Sequence, residues 1–165
     1  MKRQIAISLA LASALALAAC KSTAPKDLPP EPTAPPPQTE AGPVPGSQAD
    51  FLSQMAGRDT IYFDTDKYDV DANDQAALQS QAQWLNRYPN KRATIEGHAD
   101  ERGTRDYNLA LGERRANAAK NHLVSLGVDA SRLSTVSYGK ERPVALGSEE
   151  ESWARNRRAV TVTID

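Results

Sequence analysis

The chain has 165 residues, a formal net charge of −1 and 25% charged residues. That balance argues against nucleic acid as the main partner, because phosphate binding needs a basic field or face, and adjacent arginines occur only as the pairs Arg114-Arg115 and Arg157-Arg158. A single cysteine, Cys20, excludes an internal disulfide and a thiolate metal site.

The sequence divides into three zones. Residues 1–19 are apolar behind a basic start, residues 20–50 are crowded with proline, and residues 51–165 have ordinary globular composition. Every tryptophan, tyrosine and phenylalanine lies at or after Phe51. Large aromatic side chains dominate core energetics, so the folded part is one small domain over 51–165.

Lys2 and Arg3 precede the apolar run from Ile5 to Leu17, and Leu17-Ala18-Ala19-Cys20 follows. This is the layout of a secretory signal over 1–19, with an apolar run too short to span a bilayer comfortably. Removing it takes away Lys2 and Arg3 and no acid, so the formal charge falls from −1 to −3. The run Leu-Ala-Ala-Cys resembles the bacterial lipobox. That resemblance implies a lipidated Cys20 as the first mature residue, with several acyl chains giving stable anchoring. Lys21 at the next position implies sorting to the outer membrane, with the domain facing the periplasm.

Nine of the eleven prolines lie between Lys21 and Gly46. Proline fixes φ and removes a donor, so residues 20–50 are expected to form an extended, disordered tether. At ~3.1 Å per residue such a tether reaches roughly 90 Å, enough to hold a domain away from a bilayer.

Within the domain, Thr60-Ile61-Tyr62-Phe63 predicts a short strand. Val70 to Tyr88 predicts a helix capped by Asp71 or Asn73, with Leu78, Ala82, Leu85 and Tyr88 on one stripe. Ala93 to Glu96 predicts a second strand. Tyr107 to Leu126 is the clearest helix, with Leu109, Gly112, Ala116, Ala119, Leu123 and Leu126 at steps of three and four and Gly127 at the C′ position. A third strand over Leu133–Tyr138 and a short helix over Glu149–Asn156 follow. The last strand, Arg158–Ile164, is expected to turn Val160, Val162 and Ile164 inward. The order βαβαβαβ predicts an α/β sandwich (α+β), with helices on one face of a mixed four-stranded sheet.

The stretch Ile95-Glu96-Gly97-His98-Ala99-Asp100-Glu101-Arg102-Gly103-Thr104 joins the second strand to the long helix, a junction of the kind where sites are built. Asn108 and Arg115 are seven apart on that helix, on one face. Asp100 and Arg115 are therefore expected to point into one mouth, with Arg157 entering from the loop before the last strand. A carboxylate that accepts from an ammonium, beside a guanidinium fork for a carboxylate, suits a zwitterion. The plainer readings make Asp100 a loop charge and Arg115 a solvated arginine paired with Glu113 or Glu101, worth ~0–1 kcal/mol. Since neither residue belongs to the apolar stripe, removing either is expected to leave fold stability little changed. His98, Asp100 and Glu101 could suggest a metal or hydrolase site. With two histidines and no nucleophile–base pair in the motif, no metal, no cofactor and no enzymatic activity are expected.

The segments Tyr62 to Tyr68, Glu96 to Thr104, Tyr107-Asn108, Leu111 to Asn117, Ser137 to Pro143 and Asn156 to Val160 resemble the OmpA-like peptidoglycan-binding domain family, in the right order. With the lipobox and proline-rich tether, the layout is that of the family's lipoprotein members in the Tol–Pal system. The resemblance implies a ligand, the meso-diaminopimelate of the wall's stem peptide, and a non-covalent link between outer membrane and peptidoglycan. In the family's pattern Asp100 receives the ammonium and Arg115 holds a carboxylate, while Asn108, Arg157 and the loop around Asp66 support the site. It also implies the partners TolB and TolA and roles in envelope integrity and in outer-membrane constriction at cell division. An alternative makes the domain mainly a hub for TolB and TolA, with wall binding secondary. Trp153 stands where relatives commonly have tyrosine, a change expected to alter packing only.

Overall fold

The computed structural model describes residues 42–164. The signal segment 1–19, Cys20 and the proline-rich stretch through residue 41 lie outside the described residues. Among those described, no helix is long and apolar enough to cross a membrane.

The folded unit starts before Phe51. Helix α1 spans Gln48–Met55, with the Ser47 side chain accepting from Asp50 N at its N-cap. Then come β1 (Thr60–Tyr62), α2 (Ala72–Arg87), β2 (Arg92–His98), α3 (Arg105–Ser125), a 3₁₀ turn at Ala130–Arg132, β3 (Leu133–Gly139), α4 (Glu150–Asn156) and β4 (Arg158–Ile164). Asp71 caps α2 by accepting from Asp74 N, and Thr104 caps α3 by accepting from Tyr107 N. At the far end of α3, Gly127 has φ +90°. Its N–H reaches Val124 O at 3.0 Å and Val128 N reaches Leu123 O at 3.2 Å, a complete Schellman closure. Val128 and Leu123 are both buried, which supplies the apolar contact of that motif.

The sheet order is β1-β4-β2-β3. Strand β4 pairs antiparallel with β1 and β2, and β2 pairs parallel with β3 across the α3 crossover. The register sets Gly97 against Ala159, Ile95 against Thr161 and Ala93 against Thr163, so these six residues share one face. Helices α1, α2 and α3 pack on it. The Gly112 carbonyl of α3 lies so close to Gly97 that a Cβ there would overlap it. Gln81 of α2 accepts from Thr161 Oγ1 at 2.7 Å, and Gln48 of α1 accepts from Thr163 N at 2.7 Å. The core between the layers includes Phe51, Ile61, Leu78, Trp84, Leu85, Ile95 and Leu123, each at or below 1% exposed. Burying side chains of this size stabilises by ~1.5–3 kcal/mol apiece relative to exposure.

The fold class is as expected, but β4 is inverted relative to its expected face. Ala159, Thr161 and Thr163 are buried against the helices, whereas Val160 and Val162 are partly exposed and Ile164 is exposed. Glutamines delivered from α1 and α2 satisfy the threonine hydroxyls, so polar residues can face inward. Helices α2 and α3 begin two residues and end one residue away from the expected bounds, α4 begins one residue late and ends at Asn156 as expected, and β2 runs on to His98.

Candidate functional site

The site lies at the C-terminal end of β2, where the strand leaves the sheet beside the start of α3. Residues 99–104 are held from several sides. Ala99 N donates to Gly139 O at 2.8 Å. Lys140 Nζ donates to Glu101 O at 3.1 Å and to Gly103 O at 2.7 Å. Asn108 Nδ2 donates to Arg102 O at 2.7 Å. Gly103 takes φ +84°, a turn that a β-carbon would strain.

This loop, the β1–α2 loop and α3 enclose a cleft of about 160 Å³ lined by Thr65, Asp66, Asp100, Arg102, Asn108, Leu111 and Arg115. Four of the five expected site residues, Asp66, Asp100, Asn108 and Arg115, line it. The fifth, Arg157, lies behind Asp100, with Nη1 3.5 Å from Asp100 Oδ2. Arg157 also donates through Nε to Phe63 O at 2.9 Å and through Nη2 to Glu150 at 2.6 Å, while its Nη1 has no hydrogen-bond partner. A larger groove of about 460 Å³ opens on the other side of Arg157, bordered by Tyr62, Lys67, Asp69, Asp71 and Arg155 among others.

Arg115 departs from its expected posture. It is 0% exposed, and its guanidinium is engaged by backbone. Nε donates to Lys67 O at 2.9 Å, Nη1 to His98 O at 2.8 Å and Nη2 to Asp64 O at 3.1 Å. The Phe63 ring lies 5.2 Å from its central carbon. An unpaired buried charge is costly, so the fold surrounds this one with carbonyl dipoles. Burial lowers its pKa to about 10, partly offset by the Asp100 charge, so it stays a cation at neutral pH. Neither Glu113 nor Glu101 pairs with it. Because it ties the β1–α2 loop to β2, its removal must cost stability, contrary to the expectation from the apolar stripe. Each terminal nitrogen keeps a second N–H, and these are the groups a carboxylate in the cleft could accept from.

Asp100 is 7% exposed and already has a cationic partner that sequence reasoning missed, Arg102. Arg102 Nη2 reaches Oδ2 at 2.6 Å, Nε reaches Oδ1 at 3.0 Å, and the Arg102 backbone N–H reaches Oδ1 at 3.1 Å. Burial pushes the carboxyl pKa up, but the hydrogen bonds and charge of Arg102, with help from Arg157, outweigh it. Asp100 is held below the usual carboxylate range and is ionised at neutral pH. The signal was present as an arginine two residues after an aspartate in a glycine-containing loop, where an Asx turn lets the later residue fold back. Trp153 does more than pack. Its indole N–H donates to Glu101 at 3.0 Å, and its ring lies 4.2 Å beneath the Arg102 guanidinium.

Asp66 closes the cleft from the β1–α2 side. It sits at φ +58°, a conformation aspartate tolerates better than most side chains, and it accepts from Tyr107 OH at 3.3 Å. His98 is 1% exposed with neither ring nitrogen hydrogen-bonded. Burial first, then the Arg158 and Arg142 charges, lower its pKa to about 4, so it is neutral at physiological pH. Arg158 donates to the Asn156 and Arg142 carbonyls and braces the α4–β4 junction, away from the cleft. Among the described residues no group of three or more His, Cys, Asp or Glu is placed to hold a metal ion. The cleft therefore offers fixed charges of both signs within a few ångströms, an arrangement suited to holding a zwitterion.

Residues 62–157 match the OmpA family. The chain is 59% identical over 119 residues to the peptidoglycan-associated lipoprotein of Agrobacterium fabrum, covering 72% of this chain and 66% of that protein. It is 52% identical over 156 residues to the Rhizobium meliloti protein of the same name, covering 94% and 86%. The crystal structure of the peptidoglycan-associated lipoprotein from Burkholderia pseudomallei superposes with a TM-score of 0.67 at 45% identity, covering 72% of this chain and all of that one. The fold, the matched span and this level of identity place the chain in the OmpA family, among its peptidoglycan-associated lipoproteins.

Proposed function

We propose that this domain binds peptidoglycan non-covalently by taking the zwitterionic end of meso-diaminopimelate into the Asp100–Arg115 cleft. The observation that carries the reading is that Asp100 and Arg115 line one small cleft as an ionised carboxylate and a charged guanidinium. The ligand ammonium pairs with Asp100, with Asp66 on the opposite wall. The ligand carboxylate accepts from the remaining Arg115 N–H groups, in the positive field of Arg157. Asn108 keeps the loop in register. Opposite charges at fixed separation select a head group carrying both poles and leave a lysine side chain, with an ammonium alone, half-recognised.

In this reading the domain is the wall-binding end of an outer-membrane lipoprotein anchored through Cys20, with the proline-rich segment as spacer. The link it makes supports envelope integrity and outer-membrane constriction at division. TolB and TolA are its protein partners in the Tol–Pal system. The domain holds the wall without cutting it, so wall fragments are not released.

Co-sedimentation with purified sacculi tests the reading, one set carrying diaminopimelate and one carrying lysine at that stem position. Selective pelleting with the diaminopimelate wall, lost in Asp100→Ala, supports it. Equal pelleting with both walls, or with neither, overturns the zwitterion assignment. Soluble muropeptides in the supernatant would overturn the non-catalytic part.

A further inference from the structure

We infer that Arg102 is a built-in competitor for Asp100, standing where the ligand ammonium must go and thereby setting the affinity and selectivity of the cleft. The inference deepens the zwitterion reading and rests on it. Its basis is that the proposed ligand-contacting side chains are covered. Asp100 is 7% exposed, Asn108 2% and Arg115 0%, while the Arg102 side chain is 38% exposed at the mouth. Arg102 takes both oxygens of Asp100 and adds a 3.3 Å contact to Thr65 Oγ1 on the facing loop, so it bridges the opening. With Arg157 also 3.5 Å from Oδ2, a ligand ammonium would be a third cation on one carboxylate. Like charges at that distance repel strongly where water is excluded, so guanidinium and ammonium exclude each other.

The side chain is not needed to shape the loop. The Arg102 backbone is already tied by its own N–H to Asp100 and by its carbonyl to Asn108, and Lys140 holds the carbonyls on either side. The displaced guanidinium also has a place to go. It already lies 4.2 Å over the Trp153 ring, and that ring is fixed by its bond to Glu101. Arg102 can release Asp100 while keeping its cation–π contact, which lowers the cost of opening. A ligand with no ammonium cannot drive this exchange, so the competitor rejects neutral and purely anionic groups.

The test uses the full lipoprotein in detergent, titrated calorimetrically with L-Ala–D-Glu–meso-diaminopimelate and with its L-lysine counterpart. Arg102→Gln removes the competing charge and is expected to tighten binding of both peptides by about threefold or more, as removal of an occluded population does. Unchanged affinity overturns the inference. So does a loss confined to the diaminopimelate peptide, which would make Arg102 a contact for the ligand carboxylate. Asp100→Ala separates the two levels. If it binds like the unaltered protein, the zwitterion reading fails and the competitor with it. If it loses binding but Arg102→Gln shows no gain, the competitor alone fails. A readout without any variant is the ¹⁵N–¹H resonance of Arg102 Nε, expected to lose its hydrogen-bonded shift when the diaminopimelate peptide is added. A resonance that stays in place at saturation overturns the inference.

Discussion

The floor and the mouth of the cleft are built from the same residue type and behave in opposite ways. At the floor, Arg115 is fully buried and ties the β1–α2 loop, at Asp64 and Lys67, to the end of β2, at His98. At the mouth, Arg102 is partly exposed and holds a side chain two residues away. The floor cation is part of the fold, and removing it unties the β1–α2 loop from β2. The mouth cation is hydrogen-bonded to the side chains of Asp100 and Thr65, and on the proposed reading a ligand ammonium replaces it. A binding site can therefore be rigid where it carries permanent charge and exchangeable where it admits the ligand.

The sharpest way to break this comparison is Arg115→Ala. It should lower stability by ~3–5 kcal/mol, because several charge-assisted bonds to buried carbonyls are lost together. The urea midpoint of the domain reports it, and a shift as small as that of a surface arginine would refute the structural role. Next is Asp100→Ala, expected to weaken wall binding by ~2–4 kcal/mol while stability changes by only ~1 kcal/mol. Parallel loss of both would mean that Asp100 belongs to the floor.

His98 supplies the third test. Its folded pKa of about 4 lies below the ordinary 6.5, so between those values the unfolded chain binds the proton and the folded one does not. Its contribution is thus fully present above pH ~6.5 and is lost as pH falls toward 4, up to on the order of 3 kcal/mol. His98→Gln should flatten the stability profile across that window, and an unchanged slope would remove His98 as the cause. The smallest expected effect is that of Arg102→Gln on stability, less than that of Asp100→Ala, because Asp100 keeps the Arg102 backbone N–H and the neighbouring Arg157 as partners. A larger loss in thermal unfolding would move Arg102 from the mouth to the floor.

Local patterns in the sequence carried the helices well. The stripe through Leu78, Ala82 and Leu85, the aspartate cap of α2 and Gly127 after α3 are each decided by near neighbours in the chain. The grouping of Asp66, Asp100, Asn108 and Arg115 was legible through motif resemblance more than through spacing. Three features were not legible, and each depends on distant residues. The inward face of β4 is chosen by Gln81 and Gln48, respectively 80 and 115 residues before the threonines they bond. The engagement of Arg115 depends on carbonyls 48 and 51 residues earlier. Helix α1 follows directly on a proline-rich stretch, and its stability comes from Phe51 and Asp50 meeting Trp84, at a ring separation of 5.0 Å and a hydrogen bond of 3.0 Å.

That anchoring of α1 has a mechanical consequence. The chain enters the fold at Gly46, against Tyr88, and Gln48 fastens α1 to Thr163 at the C-terminal end of β4. The cleft lies at the other end of the same strand, beside Arg157. A pull between the incoming chain and a ligand in the cleft would therefore run lengthwise along β4, the strand flanked by β1 and β2. Its hydrogen bonds to those neighbours lie across that direction and would be loaded together in shear rather than unzipped one by one. The sheet order thus sets the hydrogen bonds on both sides of β4 across that line of pull.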